Sequence, residues 1–138
     1  MFTIKVKSLR DPVFHDAMRR IYTSDKLPST KAAFHMKKLV TALDVETATA
    51  NELHKALVDK YCEFNEDGTH VLLDNQPGSR QIKKEFLDVF NKESAEMHDT
   101  EVDIDVRKVD VSILTKVGLA PAHLTAMDAV IDWANFDD

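Results

Sequence analysis

Residues 32 to 64 read AAFHMKKLVTALDVETATANELHKALVDKYCEF, a stretch that contains no Gly and no Pro. Its apolar side chains are spaced alternately by three and four residues, which predicts a helix with a heptad seam. The seam comprises Ala33, Met36, Val40, Leu43, Thr47, Ala50, His54, Leu57, Tyr61 and Phe64. At about 1.5 Å per residue, a helix over residues 30 to 64 is roughly 50 Å long. Such a helix takes up a quarter of the chain.

The middle of this seam is thin, because Thr47, Ala50 and His54 bury little apolar surface. A two-stranded coiled coil favours Leu or Ile at such positions, so we expect the seam to pack mainly against another element of the same chain. Residues 49 to 52, Thr-Ala-Asn-Glu, also match a capping box that would start a new helix. We expect one long helix, with two shorter helices as the alternative.

The N-terminal FTIKVKS alternates apolar and polar residues, which predicts a half-buried strand at residues 2 to 7 with Lys5 and Lys7 on its outer face. Asp11 and Pro12 then supply an N-cap and a first-turn proline for a helix over residues 12 to 23. The segment SDKLPST interrupts the helical pattern before the long helix.

After the long helix, Asp67-Gly68 indicates a turn, and THVLLD is short enough for a brief strand. Ser79 is positioned to begin a helix that runs to about Met97, and we expect it to pack antiparallel to the long helix as a hairpin. EVDIDVR predicts a second strand at residues 101 to 107, whose acidic outer face suits pairing with the basic first strand. A short helical turn ending at Gly118 and a last helix over residues 119 to 134 complete the chain.

These elements predict an α+β, mainly helical fold in which residues 1 to 138 form a single domain. The long helix and its antiparallel partner helix are expected to pack on a small two-stranded antiparallel sheet, with strands near residues 2 to 7 and 101 to 107. The low content of Gly (3) and Pro (4) agrees with long helices rather than a many-turned β fold. We find no run of about 18 apolar residues and no signal-peptide pattern, so no membrane segment is expected.

Charge divides the chain unequally, although the total is −6. Residues 1 to 40 contain nine Lys/Arg and three Asp, whereas residues 41 to 138 contain nine Lys/Arg and twenty-one Asp/Glu. Either the two parts attract each other within one fold, or copies associate through a basic face and an acidic face. The acidic total makes nucleic acid an unlikely partner, although a local basic face could contact phosphates.

No pattern of catalytic or metal-binding residues emerges from the sequence. Its six His residues do not have zinc spacing, and the single Cys62 is expected to be a small core residue rather than a nucleophile. His98, Asp99, Glu101, Asp103 and Asp105 cluster in sequence, but strand geometry favours a solvated acidic face over a metal site. His54 is expected to be an interior histidine. We therefore expect no enzyme activity and no cofactor.

The order of elements nevertheless resembles a known class of protein. In this order the chain resembles small uncharacterised proteins of tailed bacteriophages. The elements are a strand, a short helix, an LPST break, a long helix ending near YCEFNEDG, a second helix, EVDIDVRKVDVSIL and a final helix after GLAP. The resemblance covers most of the chain but contains no invariant motif. It implies a minor structural or assembly component, and it brings no catalytic residues.

The resulting hypothesis is a structural or assembly protein, in a virion or the host cytoplasm, that contacts copies of itself or other phage structural proteins. The alternative is a small acidic phage-encoded inhibitor or regulator of a host protein. A third class, an enzyme or ligand-binding protein, would require a deep polar pocket. The residues predicted to form a protein interface are Lys5, Lys7, Arg10, Arg19, Arg20, Trp133 and Phe136.

Overall fold

A computed structural model describes residues 1–66, 68, 71 and 80–134 of this protein. The chain divides into two compact units. The first comprises Met1–Ala50 with Thr100–Asp138, and the second comprises Asn51–Asp99. The fold is α+β and mainly helical, with one long helix and a small two-stranded antiparallel sheet, as the sequence predicted.

The antiparallel sheet belongs to the first unit and pairs β1 (Phe2–Lys5) with β2 (Glu101–Ile104). The predicted pairing is confirmed, and its register places Lys5 opposite Glu101. Both strands are shorter than predicted: β1 ends where the chain turns at Val6 into the one-turn helix α1 (Val6–Leu9), and β2 ends at Ile104, which pairs with Phe2 at the start of β1. Helical spacing buries both Val6 and Leu9. Lys7 therefore lies on a helix, and its predicted position on the strand face was wrong.

Helix α2 (Pro12–Tyr22) begins where the sequence predicted. The Asp11 carboxylate accepts a hydrogen bond from the backbone N–H of Val13 at 2.9 Å, and Pro12 occupies the first turn, where no N–H partner is needed. The buried side chains of α2 recur at helical spacing, so one face of the helix enters the core of the first unit. They are Phe14, Ala17, Met18 and Ile21.

Helix α3 (Thr30–Tyr61) is continuous, which confirms one long helix rather than two. The Ser29 hydroxyl caps its first turn by accepting from the N–H of Ala32 at 3.1 Å. The heptad seam was only partly right. Ala33 is exposed, and Phe64 lies exposed beyond the helix end, whereas Leu39, outside the seam, is fully buried.

The buried positions of α3 in the first unit are Met36, Leu39, Leu43 and Ala50. Three of them, Met36, Leu43 and Ala50, keep the seven-residue repeat of the predicted seam. The departure lies between them, where Leu39 is fully buried and the seam residue Val40 is only half-buried.

In the second unit, α4 (Leu87–Asp99) packs against the last turns of α3. The Tyr61 ring contacts those of Phe86 and Phe90 at centroid distances of 5.4 and 6.4 Å, and its hydroxyl donates to Glu93 at 2.9 Å. Further back along α3, His54 meets His98 near the other end of α4. The two segments thus run in opposite directions, which confirms the helical hairpin.

The second helix starts later than predicted. A 3-10 turn (Lys84–Phe86) precedes α4, because the chain before it is held in extended pairing with the end of α3. Glu63 N–H donates to the carbonyl of Gln81 at 2.8 Å, and Lys83 N–H donates to that of Tyr61 at 2.9 Å. The predicted cap at Ser79 lies outside the described residues, as does most of the predicted strand THVLLD.

The predicted last helix over residues 119 to 134 was wrong. Only α5 (Pro121–Ala126) forms there, followed by a 3-10 turn (Asp128–Val130) and the strand β4 (Ile131–Asp132). Strand β4 pairs in parallel with β3 (Val109–Asp110), which the sequence did not predict as a separate strand. Val130 and Ile131 are adjacent in sequence, and both side chains are buried. The backbone becomes extended at Ile131, which lets the two side chains enter the core in different directions. The short helical turn before Gly118 is observed at Val111–Leu114.

Candidate protein-interaction site

A groove lies in the first unit between the end of α2 and the first turns of α3. It measures about 430 Å³ and is lined mainly by apolar atoms. Its lining comprises Tyr22, Thr23, Leu27, Thr30, Ala33, Phe34 and Lys37. We call it the α2–α3 groove.

The connection between the two helices shapes this groove through side-chain hydrogen bonds. At the end of α2, the Thr23 hydroxyl donates to the Arg19 carbonyl at 2.8 Å. The Ser24 hydroxyl accepts from the N–H of Lys26 at 3.1 Å, and Ser29 caps α3. Because short polar side chains compete for backbone groups in this way, the SDKLPST segment ends one helix and starts the next within a few residues.

Phe34 and Tyr22 lie on the side of the groove that is exposed to solvent, outside the core. Phe34 is 65% exposed and Tyr22 is 42% exposed, whereas Met36 and Leu39 on the core side of α3 are fully buried. Single exposed apolar residues are ordinary on protein surfaces, but two aromatic rings lining one concave apolar surface are typical of a contact site. The groove is therefore an open, mainly apolar surface edged by two exposed aromatic rings.

The electrostatics of the groove are basic. The Lys37 ammonium donates to the Tyr22 hydroxyl at 3.3 Å and lies 5.6 Å from the centre of that ring. Residues 19 to 38 contain six Lys/Arg and one Asp, and Lys26 and Lys38 are exposed. An acidic segment is therefore attracted to this region, and a basic one is repelled.

The structure places the predicted basic residues on several different elements. Lys5 faces Glu101 across the sheet, Lys7 is exposed on α1, and Arg10 is half-buried, which lowers its pKa. Arg19 and Arg20 are consecutive residues of α2.

Asp16 binds these two arginines. Its carboxylate accepts from Arg19 at 2.6 Å and from Arg20 at 3.0 Å, and it contacts His123 Nε2 at 2.9 Å. These hydrogen bonds, that of Arg19 first, hold the pKa of Asp16 well below its usual range. Part of the positive charge predicted for the interface is thus compensated within the first unit.

His123 and Asp16 resemble a catalytic pair, but both nitrogens of the imidazole are engaged. The backbone N–H of Ala120 donates to His123 Nδ1 at 3.0 Å, so a neutral ring carries its proton on Nε2, toward Asp16. A ring held in this way has no nitrogen available to take a proton from a substrate. The pair joins α2 to α5 instead.

The remaining titratable residues in the described ranges give no stronger site. Glu101, Asp103 and Asp105 are exposed, in agreement with a solvated acidic face. Cys62 is buried, as expected for a small core residue, and His54 is half-buried, with its ring edge-on to that of His98. Within the described part of the chain, no three His, Cys, Asp or Glu residues are grouped so that they would hold a metal ion.

A second cleft, of about 340 Å³, adjoins the first turns of α3 on another side of the helix. It mixes the cations Lys31, Arg107 and Lys108 with the carboxylates of Asp110 and Asp132. This mixture of charges gives the cleft no clear preference for an anion or a cation. Its lining includes Asp132, the last residue of β4.

The predicted aromatic residues of the C-terminal segment differ in what the structure describes. Trp133 is 37% exposed, and its indole N–H donates to Asp128 at 3.1 Å. Phe136 lies outside the described residues. The sequence analysis did not single out Phe34, although an aromatic residue left outside the predicted seam was the signal that could have identified it as exposed.

Comparisons with known proteins identified no relative of this chain. No protein-family model matches the chain, and no curated protein or solved structure matches it either. Among the described residues, none of the helices has both the length and the apolar character that crossing a bilayer requires.

Proposed function

We propose that this chain is a non-enzymatic structural or assembly protein that acts through protein–protein contacts, as a minor component of a bacteriophage virion or another multi-copy complex. The observation that carries the proposal is the α2–α3 groove, in which Phe34 remains 65% exposed beside Tyr22. When a partner covers such an aromatic side chain, its apolar surface is removed from water, and this burial favours binding. The groove is therefore the proposed contact site.

The size of the groove agrees with a contact between proteins. About 430 Å³ accommodates one large side chain and its neighbours, which is the form of a hot spot within a larger interface. Aromatic residues are enriched at such centres, and the surrounding lysines form a polar rim. The engagement of both His123 nitrogens supports a non-enzymatic role, because it removes one acid–base pair from consideration.

The virion setting rests on the resemblance in element order to small tailed-phage proteins, and the groove supports only the contact. The two parts of the proposal are therefore tested together in one experiment. Purified particles are assayed for this protein by quantitative mass spectrometry, after infection with phage that encode the wild type, Phe34→Ala or Leu53→Ala. Leu53 is the matched control, since it is 55% exposed on α3 but does not line the groove.

We expect a fixed number of copies per particle for the wild type and for Leu53→Ala. Phe34→Ala should reduce incorporation, because removal of a central aromatic anchor typically costs about 2 kcal/mol of binding, or roughly 30-fold in affinity. Absence of the wild-type protein from particles, with free protein in infected cells, would contradict the virion role and favour the regulator. Equal incorporation of all three proteins would contradict the groove as the contact site.

A further inference from the structure

We propose that the α2–α3 groove binds the C-terminal tail of a second copy of this chain, residues 132 to 138 (DWANFDD), with Phe136 as the side chain that enters it. This inference rests on the proposed function, because it names the partner of the same contact site. Three observations carry it: the chemistry of the tail, the charge around the groove, and the position of Asp132, where the tail begins.

The chemistry of the tail complements that of the groove. Residues 132 to 138 contain three Asp, two aromatic residues and no Lys or Arg. Phe136 is directly followed by Asp137 and Asp138, so an inserted phenyl ring would bring two carboxylates to the rim. The groove offers an apolar wall for the ring.

The cations at the rim are placed to meet those carboxylates. Lys37 lines the groove, and Lys38 lies four residues after Phe34 and hence one turn along the same face of α3. Lys26 is exposed on the connection before α3. Within residues 19 to 38 the only acidic residue is Asp25, so little repulsion opposes an acidic tail.

The position of the tail favours a second copy over the same chain. Asp132 lines the cleft that includes Ala32 and His35, whereas the groove includes Ala33 and Lys37. At 100° per residue, the two sets lie on nearly opposite sides of α3. The backbone from Asp132 to Phe136 extends about 14 Å at most, and half the circumference of a helix is about 17 Å. The phenyl ring of Phe136 would therefore reach the groove of its own chain only from a fully extended backbone. The Ala134 N–H donates to the Asp132 carboxylate at 3.0 Å, which turns the chain at that point, so the tail reaches the groove of a neighbouring copy more readily than its own.

Each copy then offers one groove and one tail, so the contact is head-to-tail. Such heterologous contacts form rings when the rotation between copies closes and filaments when it does not. The lysine–carboxylate contacts at the rim are exposed, and salt weakens them. The inferred contact is one way in which copies would associate through a basic face and an acidic face, as the charge distribution suggested.

A labelled synthetic peptide of sequence DWANFDD tests the inference directly. The peptide is titrated with the full-length protein, at concentrations where the protein is monomeric, and fluorescence anisotropy is recorded in 50 and 500 mM NaCl. We expect saturable binding that weakens in high salt. Binding should be at least ten-fold weaker for a peptide with Ala in place of Phe136 and for the Phe34→Ala protein, and unchanged for Leu53→Ala. No binding, or equal binding by the wild type and Phe34→Ala, would overturn the inference.

Light scattering provides the second measurement. The wild-type mass should rise with concentration, and both Phe34→Ala and Phe136→Ala should remain at the monomer mass of 15.6 kDa. A wild-type protein that stays monomeric at every concentration and salt would also overturn the tail as the partner. If Phe34→Ala nevertheless lowers incorporation into particles, the groove remains the contact site of a different protein, so the two proposals fail separately.

Discussion

Leu39 and Phe34 lie five residues apart on α3, and their side chains have opposite environments. Leu39 is fully buried in the core of the first unit, and Phe34 is 65% exposed at the α2–α3 groove. We predict that Leu39→Ala lowers the free energy of unfolding by about 3–4 kcal/mol, within the range measured for buried leucines. Phe34→Ala should change it by less than about 0.5 kcal/mol.

The two magnitudes follow from burial. Truncation of Leu39 removes buried methyl and methylene groups and leaves a cavity that the packed core fills only in part. Phe34 hides about a third of its surface, so its truncation loses at most about 1 kcal/mol of the roughly 3 kcal/mol that full burial provides. Alanine recovers about 0.5 kcal/mol of this, since it is the better helix former.

Urea unfolding followed by circular dichroism at 222 nm measures both variants, with Leu53→Ala as an exposed leucine on the same helix. An unchanged slope of free energy against urea would show that the difference is one of stability rather than of compactness. If Phe34→Ala costs as much as Leu39→Ala, then Phe34 belongs to the core and the argument for an open groove fails. If Leu39→Ala costs no more than Leu53→Ala, the position of the core face of α3 is wrong.

Three further predictions address the first unit. Lys5→Glu should destabilise the protein by about 1 kcal/mol, because it places like charges opposite each other. The double variant with Glu101→Lys should recover most of this loss, as measured by thermal unfolding, and additive losses would refute the register. The lowered pKa of Asp16 contributes stability that is fully present above the unfolded pKa near 4 and is lost progressively as pH falls from there toward the lower pKa of the folded state. The advantage of the wild type over Asp16→Asn in melting temperature should therefore shrink from pH 7 to pH 3, and a constant difference would contradict this. Asp11→Ala should cost about 1 kcal/mol through loss of the cap on α2, whereas Asp11→Asn should cost far less, and equal losses would show that capping is not the cause.

The elements that were predicted correctly depend on local signals. Asp11 and Pro12 specify the start of α2 through one carboxylate and one missing N–H. The continuity of α3 follows from the absence of Gly and Pro over residues 32 to 64. The pairing of β1 with β2 was also predictable, because alternating strands of opposite charge suit each other.

The candidate site was only partly predictable. The basic character of the N-terminal third was evident from composition, but Lys5, Arg19 and Arg20 turned out to have acidic residues beside them. The apolar wall of the groove depends on where the core face of α3 ends. A one-dimensional pattern locates that boundary poorly, since an error of one residue rotates a side chain by about 100° around the helix.

The sequence by itself determined where the long helix begins, that it runs without a break, that it has an antiparallel partner, and that two strands of opposite charge pair. Short-range hydrogen bonding and side-chain periodicity decide these features, and both can be read from neighbouring residues. Only the tertiary structure decided that Val6–Leu9 coils into a helix, that Ile131 and Asp132 leave the helical path to pair with Val109 and Asp110, and that Phe34 faces outward. In each case the burial of apolar side chains from distant parts of the chain outweighed the local preference, because a packed core contributes more free energy than propensity does.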